Sequence, residues 1–173
     1  MSSSSTNKQP LLVDRPLHEY AVLGSVPALL DSLNFATILS GGVTELVNCF
    51  DEDGAVVDSL SILVNQANTT AATVIFFLSE SPTPLGVSAL NTVHVASAAI
   101  TSLAAGERVN VPLPLLCIPV PNLGGQSSPT EASKKNTGLY VPKGKVLYAG
   151  LSEPLLQPTP ATTVNVFAQG GYF

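Results

Sequence analysis

Short apolar segments separated by turn-forming residues run through most of this chain, and they constrain its fold more than any other feature. Residues 60–65 alternate in side-chain character, and residues 92–98 do so again. Alternation of this kind places successive side chains on opposite faces of a β-strand. About eight to ten such segments follow one another at spacings of roughly 8–12 residues, which is the pattern of an antiparallel sandwich or barrel.

The placement of proline agrees with an all-β fold. The fourteen prolines fall mostly in candidate turns or at strand ends, where no hydrogen bond of a sheet is lost. One segment departs from the pattern, because residues 24–34 predict a short helix with Ser25 as its N-cap and Pro27 near its first turn. We therefore predict a single all-β domain, an antiparallel β-sandwich of jelly-roll-like type, over residues 21–173.

Two tight turns predict β-hairpins. Gly41-Gly42 lies between two strand-like segments and is suited to a two-residue hairpin loop. Residues 142–145 (ProLysGlyLys) form the second turn, with proline first and glycine third. We expect Tyr140 and Tyr148 to pair across that second hairpin.

Residues 1–20 predict an extended N-terminal arm that begins with a polar, Ser-rich stretch. Such a stretch cannot bury enough apolar area to offset the entropy of ordering it. If it is ordered, a partner must supply the burial, and we expect Leu11, Leu12 and Val13 to lie in a groove or along a sheet edge of that partner.

The chain finishes with GlyGlyTyrPhe directly after a predicted strand. An aromatic pair at the end of a strand has a large apolar area to bury. We therefore predict that Tyr172 and Phe173 contact a partner as well.

Charge is sparse and unevenly distributed. Residues 16–107 contain no lysine or arginine, and charged residues make up 11% of the chain, against about 25% in ordinary soluble domains. A surface with so few charges is poorly protected against association, so we favour a homo-oligomer or a subunit of a larger assembly. The alternative is a monomer whose surface is kept wet by uncharged Ser, Thr, Asn and Gln. A net charge of −5 argues against nucleic acid as a partner.

No set of residues predicts catalysis or a cofactor. The histidines, His18 and His94, lack the neighbouring nucleophile that an active site needs. Asp14 and Glu19 flank His18, but the i, i+4 spacing of Asp14 and His18 suits metal binding only on a helix, and Pro16 falls between them. The acidic stretch at residues 51–53 resembles part of a calcium loop, but Ala55 and Ile62 stand where the loop needs oxygen ligands. We expect an acidic turn there, buried free thiols at Cys49 and Cys117, no bound metal and no enzymatic activity.

Export and membrane insertion are not indicated either. The first ten residues lack the apolar core of a secretory signal. The most apolar run has the length of a strand, far short of a membrane span. We expect a chain made in a cytoplasm, without a membrane partner.

The C-terminal part of the chain carries a family resemblance. Residues 137–152 (ThrGlyLeuTyrValProLysGlyLysValLeuTyrAlaGlyLeuSer), followed by residues 163–173 (ThrValAsnValPheAlaGlnGlyGlyTyrPhe), resemble the C-terminal strands of small virion proteins of tailed bacteriophages. The likeness is to capsid decoration (cement) proteins in particular. Residues 62–77 and 105–116 agree in strand and turn order, so the resemblance covers residues 60–173.

The resemblance implies a structural role without catalysis. Proteins of this kind form β-rich trimers or dimers on a lattice of major capsid protein and use extended termini to clamp their neighbours. The chain would then be a homo-oligomer, with a trimer favoured, on the capsid surface of a virion after synthesis in the host cytoplasm. Two alternatives remain open: a structural component of the phage tail or baseplate, and a jelly-roll module that binds a ligand.

Overall fold

The computed structural model describes residues 14–24, 29–31, 34–38, 42–65, 71–100, 104–113, 118–119, 137–153 and 163–173. Two antiparallel sheets packed against each other account for most of them, so the predicted all-β sandwich is confirmed. The strands are β1 (Arg15–Leu23), β2 (Leu29–Asp31), β3 (Asn34–Ile38), β4 (Val43–Asn48), β5 (Gly54–Val64), β6 (Ala72–Ser79), β7 (Thr92–Ile100), β8 (Arg108–Val111), β9 (Ile118–Pro119), β10 (Thr137–Pro142), β11 (Val146–Leu151) and β12 (Val164–Tyr172).

The six-stranded sheet is organised around β5, which is eleven residues long. The strand order is β1-β12-β5-β10-β9, with β8 also paired to β5. One edge of β5 pairs with β12 over most of its length, and the other edge is divided between β10 at residues 54–57 and β8 at residues 60–63. β5 therefore pairs with segments from the middle and from the last part of the chain.

The four-stranded sheet has the order β4-β11-β6-β7 and is buried on both faces at its centre. All six residues of β11 are buried. Because successive side chains of a strand point to opposite faces, Leu147 and Ala149 enter the core between the sheets, whereas Val146 and Tyr148 enter a second apolar cluster on the outer side.

The main core lies between the two sheets. Leu60 and Ile62 of β5 and Val166 of β12 are buried together with Phe76 of β6 and Leu147 of β11. Burying an aliphatic or aromatic side chain of this size contributes roughly 1.5–3 kcal/mol. Burial of this kind, repeated over both inner faces, stabilises the sandwich without a metal or a disulfide among the described residues.

Residues 80–91 form a loop between β6 and β7 that covers the outer side of the four-stranded sheet. Val87 of this loop is buried against Phe77 and Tyr148 in the second cluster. The hydroxyl of Tyr148 donates a hydrogen bond to the backbone carbonyl of Ser81, with an O···O distance of 2.9 Å. We call this segment the leucine loop, because Leu85 and Leu90 lie in it.

Two neighbouring connections cross from one sheet to the other, and one of them lies where a hairpin was predicted. The turn at residues 142–145 joins β10 of the six-stranded sheet to β11 of the four-stranded sheet, and residues 49–53 join β4 to β5 in the same way. Backbone hydrogen bonds from Cys49 to Lys145 (3.0 Å) and from Gly144 to Cys49 (2.8 Å) hold the two connections together. We call them the double corner.

The predicted pairing of Tyr140 with Tyr148 is therefore wrong, since these residues lie in different sheets. A tight turn fixes a reversal of the chain, but it does not fix the strands to which the two arms bond. The hairpin predicted across Gly41-Gly42 is wrong for the same reason, because β3 pairs with β2 and β4 pairs with β11.

Two further expectations change near the N-terminus. The short helix predicted for residues 24–34 is wrong where the structure describes it, because β2 and β3 form an antiparallel pair there. The boundary predicted between arm and sandwich, after residue 20, falls inside β1, whose nine residues pair with β12. Residues 1–13, with the predicted contacts Leu11, Leu12 and Val13, lie outside the described residues.

A β-bulge where β12 meets β5 requires a glycine. The register between the two strands shifts between Gln169 and Gly170. A Cβ atom at Gly170 would lie 1.9 Å from the backbone oxygen of Val56 and 3.0 Å from the backbone nitrogen of Asp58. These are atoms of a central strand, which cannot move aside without disturbing the sheet.

We predict that Gly170→Ala lowers the free energy of unfolding by about 3 kcal/mol, since an added methyl group in a filled space forces the backbone to shift. Urea unfolding followed by circular dichroism measures the change. Gly24→Ala is the matched control, because a Cβ atom there meets nothing within 4 Å. Equal stability of the two variants would contradict the close approach at the bulge.

We also predict that stability falls as the pH rises from about 10 to 12. Burial, and secondarily the charge of Glu45, raises the pKa of Tyr148 to about 12 from its ordinary value of 10.0. The folded chain thus holds this proton more tightly than the unfolded chain, so its contribution is complete below pH 10 and is lost as the pH rises through 12.

Denaturant unfolding at several alkaline pH values measures the slope of the free energy of unfolding against pH. Tyr148→Phe should flatten it, while lowering stability near pH 7 by about 1–3 kcal/mol because the carbonyl of Ser81 loses its partner. Tyr20→Phe, which removes an exposed hydroxyl, is the control. Part of the slope should persist in the variant, since burial raises the pKa of the Cys49 thiol to about 11 and also raises the pKa of Tyr172.

Candidate interaction surface

The outer face of the six-stranded sheet carries exposed apolar side chains. In β1, Leu17, Ala21 and Leu23 are buried in the core, and the side chains of Tyr20 and Val22, which alternate with them, point outward. Tyr20 is 68% exposed on this outer side, and Val22 beside it is about half exposed. A strand that is apolar on both faces, with one face open, is typical of a surface that contacts another molecule.

Neighbouring strands extend this apolar surface. Tyr20 lies directly opposite Phe167 of β12, and the two ring centroids are 6.4 Å apart with an angle of 33° between the ring planes. Leu63 of β5, which alternates with buried core residues, faces the same way and is partly exposed. We call Tyr20, Val22, Leu63 and Phe167 the apolar patch.

The rim of the apolar patch is polar and almost uncharged. Side-chain amides lie along one side, where Asn65 donates a hydrogen bond to Asn165 with an N···O distance of 3.1 Å. On the other side, the hydroxyl of Ser59 lies 3.4 Å from the side-chain oxygen of Gln169. Arg108 places its guanidinium 5.3 Å from the centre of the Phe167 ring, so this cation lies over the patch itself.

A shallow recess adjoins the patch. It is lined by His18, Glu19, Tyr20, Phe167, Ala168 and Gln169, is open to solvent and has a cavity volume of about 70 Å³. Sites for small molecules usually measure about 300–1,000 Å³ and hold converging polar groups. The recess is better suited to one apolar side chain of another protein.

Charged side chains gather at the double corner, away from the patch. Glu52 pairs with Arg15 at 2.8 Å, and Asp53 pairs with Lys143 at 2.9 Å. A third ion pair joins Lys145 to Glu80. The acidic stretch at residues 51–53 therefore has lysine and arginine as partners, and three of the chain's seven cations are used at this end of the sandwich.

The predicted contact residues at the C-terminus pack on their own chain. Tyr172 is buried, its hydroxyl donates to Glu19 at 3.2 Å, and the guanidinium of Arg15 lies 4.5 Å from its ring centre. Phe173 is partly buried, with its ring 6.3 Å from that of Tyr140. Tyr172 thus joins β12 to β1, and a partner contact by Phe173 stays a prediction.

Groups with potential chemistry are dispersed. His18 lies on β1 and His94 on β7, in different sheets. Within the described ranges, no three residues among His, Cys, Asp and Glu are grouped as metal ligands would be. Cys49 is a buried free thiol whose raised pKa keeps it protonated at neutral pH, and Cys117 lies outside the described residues. No helix in the described part of the chain is long and apolar enough to cross a membrane.

The sequence did contain a signal for the apolar patch. Residues 17–23 hold apolar side chains at both odd and even positions, as a strand with two apolar faces does. The prediction of an arm over residues 1–20 assigned part of this stretch to a solvated segment. The interpretation of Phe167 as one more strand residue likewise did not show that it would face outward beside Tyr20.

No protein-family model matches this chain, and no curated protein and no solved structure matches it either.

Proposed function

We propose that this chain is a structural virion protein without catalytic activity, a decoration subunit that binds a tailed-bacteriophage capsid and stabilises its lattice of major capsid protein. The observation that carries the proposal is the apolar patch with its almost uncharged rim, on the open face of a chain with 11% charged residues. Protein interfaces are depleted of charge at their centres and enriched in aromatic residues and arginine. Tyr20, Phe167 and Arg108 supply those residue types here.

The architecture suits a subunit that resists deformation. β5 is bonded on both edges, and its partners β12 and β10 come from the last third of the chain. Stretching such a sheet along its strands must break many backbone hydrogen bonds together. A clamp on a shell under internal pressure needs this stiffness, and it needs no active site.

The predicted arm supplies the attachment in this proposal. Leu11, Leu12 and Val13 directly precede Asp14, whose backbone N–H bonds the carbonyl of Tyr172 at 2.9 Å. Their three side chains bury enough apolar surface in a groove of the capsid protein to contribute roughly 5–8 kcal/mol, at about 1.5–3 kcal/mol each. The sandwich then lies on the outside of the shell as part of a homo-oligomer.

The two alternative functions require different kinds of site. A component of the tail or baseplate would use the same kind of apolar patch, and only its location in the particle separates the two roles. A jelly-roll module that binds a ligand needs an enclosed site with converging polar groups. The recess beside Tyr20 is open and small for that purpose, so the assembly role is favoured.

Mass spectrometry of purified virions tests the location. We expect the chain at a fixed ratio to the major capsid protein in emptied heads separated from tails. Recovery only in the tail fraction would establish the tail alternative, and absence from purified virions would overturn the proposal.

A binding assay tests the arm. Deleting residues 2–13 should leave the thermal midpoint nearly unchanged, because the strands begin at Arg15. It should weaken sedimentation with empty capsids at least about 100-fold, since each tenfold corresponds to about 1.4 kcal/mol. Leu11→Met/Leu12→Met, which keeps the apolar side chains, is the matched control. Equal binding by the deleted and full-length chains would contradict the clamp.

A further inference from the structure

The leucine loop is held in a single shape by its own side chains. The Asn91 side chain donates to the carbonyl of Gly86 at 2.8 Å and accepts from the backbone N–H of Ser88 at 2.9 Å. At the start of the loop, the Ser81 hydroxyl donates to the carbonyl of Thr83 at 2.8 Å. Together with buried Val87, these bonds fix the loop against the sheet below.

Two leucines project from this fixed loop into solvent. Leu85 is 84% exposed and Leu90 is 99% exposed. Single exposed leucines are common on protein surfaces. Two on one short loop form an apolar projection whose backbone is ordered before any partner arrives. Such pre-ordering reduces the entropy lost on binding.

The surroundings of the projection point to a protein rather than a membrane. Residues 81–106 contain no Asp, Glu, Lys or Arg. A loop that inserts into an anionic membrane normally has basic residues beside its apolar side chains, and the whole chain carries a net charge of −5. An uncharged, apolar projection is suited to an uncharged, apolar surface.

The apolar patch is such a surface apart from Arg108, whose guanidinium lies over Phe167, and it lies on the opposite side of the same molecule. The leucine loop covers the outer face of the four-stranded sheet, through Val87, whereas Tyr20 and Phe167 lie on the outer face of the six-stranded sheet. One copy therefore cannot bring its own projection onto its own patch. A second copy can, because the recess beside Tyr20 is concave and residues 81–91 of the loop, which include both leucines, have no carboxylate that would face Glu19. Glu80 of the loop is paired with Lys145.

We propose that the leucine loop of one copy docks, through Leu85 and Leu90, on the apolar patch of the next copy. This inference rests on the proposed assembly role and names the partner of the patch within it. The two surfaces differ, so the contact is head-to-tail. Such a contact closes into a ring when the rotation between copies completes a circle, and otherwise it continues as a chain.

The size of the patch sets the strength of this contact. Three strands, β1, β12 and β5, span about 14 Å at about 4.8 Å per strand, and five residues along a strand span about 17 Å. The patch thus offers roughly 250 Å², well below the about 800 Å² per partner of a stable complex. We expect a dissociation constant of about 100 μM or weaker between free copies, which becomes effective where a shell holds many copies close together.

Sedimentation equilibrium of the purified chain, from about 10 μM to 1 mM and without any capsid, measures the contact. The loop variant Leu85→Ser/Leu90→Ser and the patch variant Tyr20→Ser/Phe167→Ser should each weaken self-association at least tenfold. Leu85→Met/Leu90→Met and Tyr20→Phe keep the apolar surfaces and should associate like the original chain. Circular dichroism establishes that each variant is folded.

Mixing the two serine variants gives the decisive result. The loop variant keeps an intact patch and the patch variant keeps an intact loop, so the mixture should form one-to-one dimers with the original affinity and nothing larger. Failure of the mixture to associate, a monomeric original chain at 1 mM, or full self-association of the loop variant would each overturn the proposal. If the loop variant loses binding only to capsids, the partner is another protein and the proposal is likewise overturned.

The result of the self-association experiment can be distinguished from the result of the tests of the decoration role. Complementation between the serine variants in a chain that is missing from virions would leave the head-to-tail contact standing and remove the decoration role. Capsid binding that depends on residues 2–13, without self-association, would support the decoration role and overturn the head-to-tail contact.

Discussion

The pairing of both edges of β5 is the interaction on which the rest of this structure depends. It brings β12 and β10, from the end of the chain, onto a strand from its first half, and β12 in turn carries β1. The pairs span about a hundred residues, as between Asn65 and Asn165. The entropy lost in closing so long a loop is offset because the inner faces of both sheets then bury their apolar side chains together.

The outer faces of the two sheets differ in whether the chain covers them. The four-stranded sheet is covered by a loop of the same chain, which buries Val87 and uses the carbonyl of Ser81 to satisfy the hydroxyl of Tyr148. The six-stranded sheet leaves Tyr20 and Phe167 exposed. One molecule therefore presents an apolar patch on one side and projecting leucines on the other, which is the arrangement that the proposed head-to-tail contact requires.

The few charges reinforce this division. The three ion pairs found among the described residues lie at or next to the double corner, where Lys143 and Lys145 meet carboxylates. Exposed pairs of this kind contribute little to stability, typically about 0–1 kcal/mol each. Their concentration at one end matters more for association, because the two broad faces of the sandwich are left with few charges to repel a neighbour.

The sequence by itself determined the fold class, the low charge and most of the strands. Alternation, turn residues and proline placement are local properties, so segments such as residues 60–65 and 92–98 could be assigned without the fold. The same local reasoning predicted a helix where Leu29–Asp31 form a strand. It also placed residues 15–20 in an arm, although they belong to β1 and pair with the six-stranded sheet.

Only the tertiary structure decided which strands pair and which side chains face outward. A turn such as residues 142–145 fixes a reversal of the chain, yet the same reversal serves a hairpin or a crossing between sheets, and long-range burial selects between them. That selection separated Tyr140 from Tyr148, buried Tyr172 against β1 and set Tyr20 beside Phe167. The apolar patch combines β1, β5 and β12, segments that are remote in sequence, so no local pattern could have assembled it.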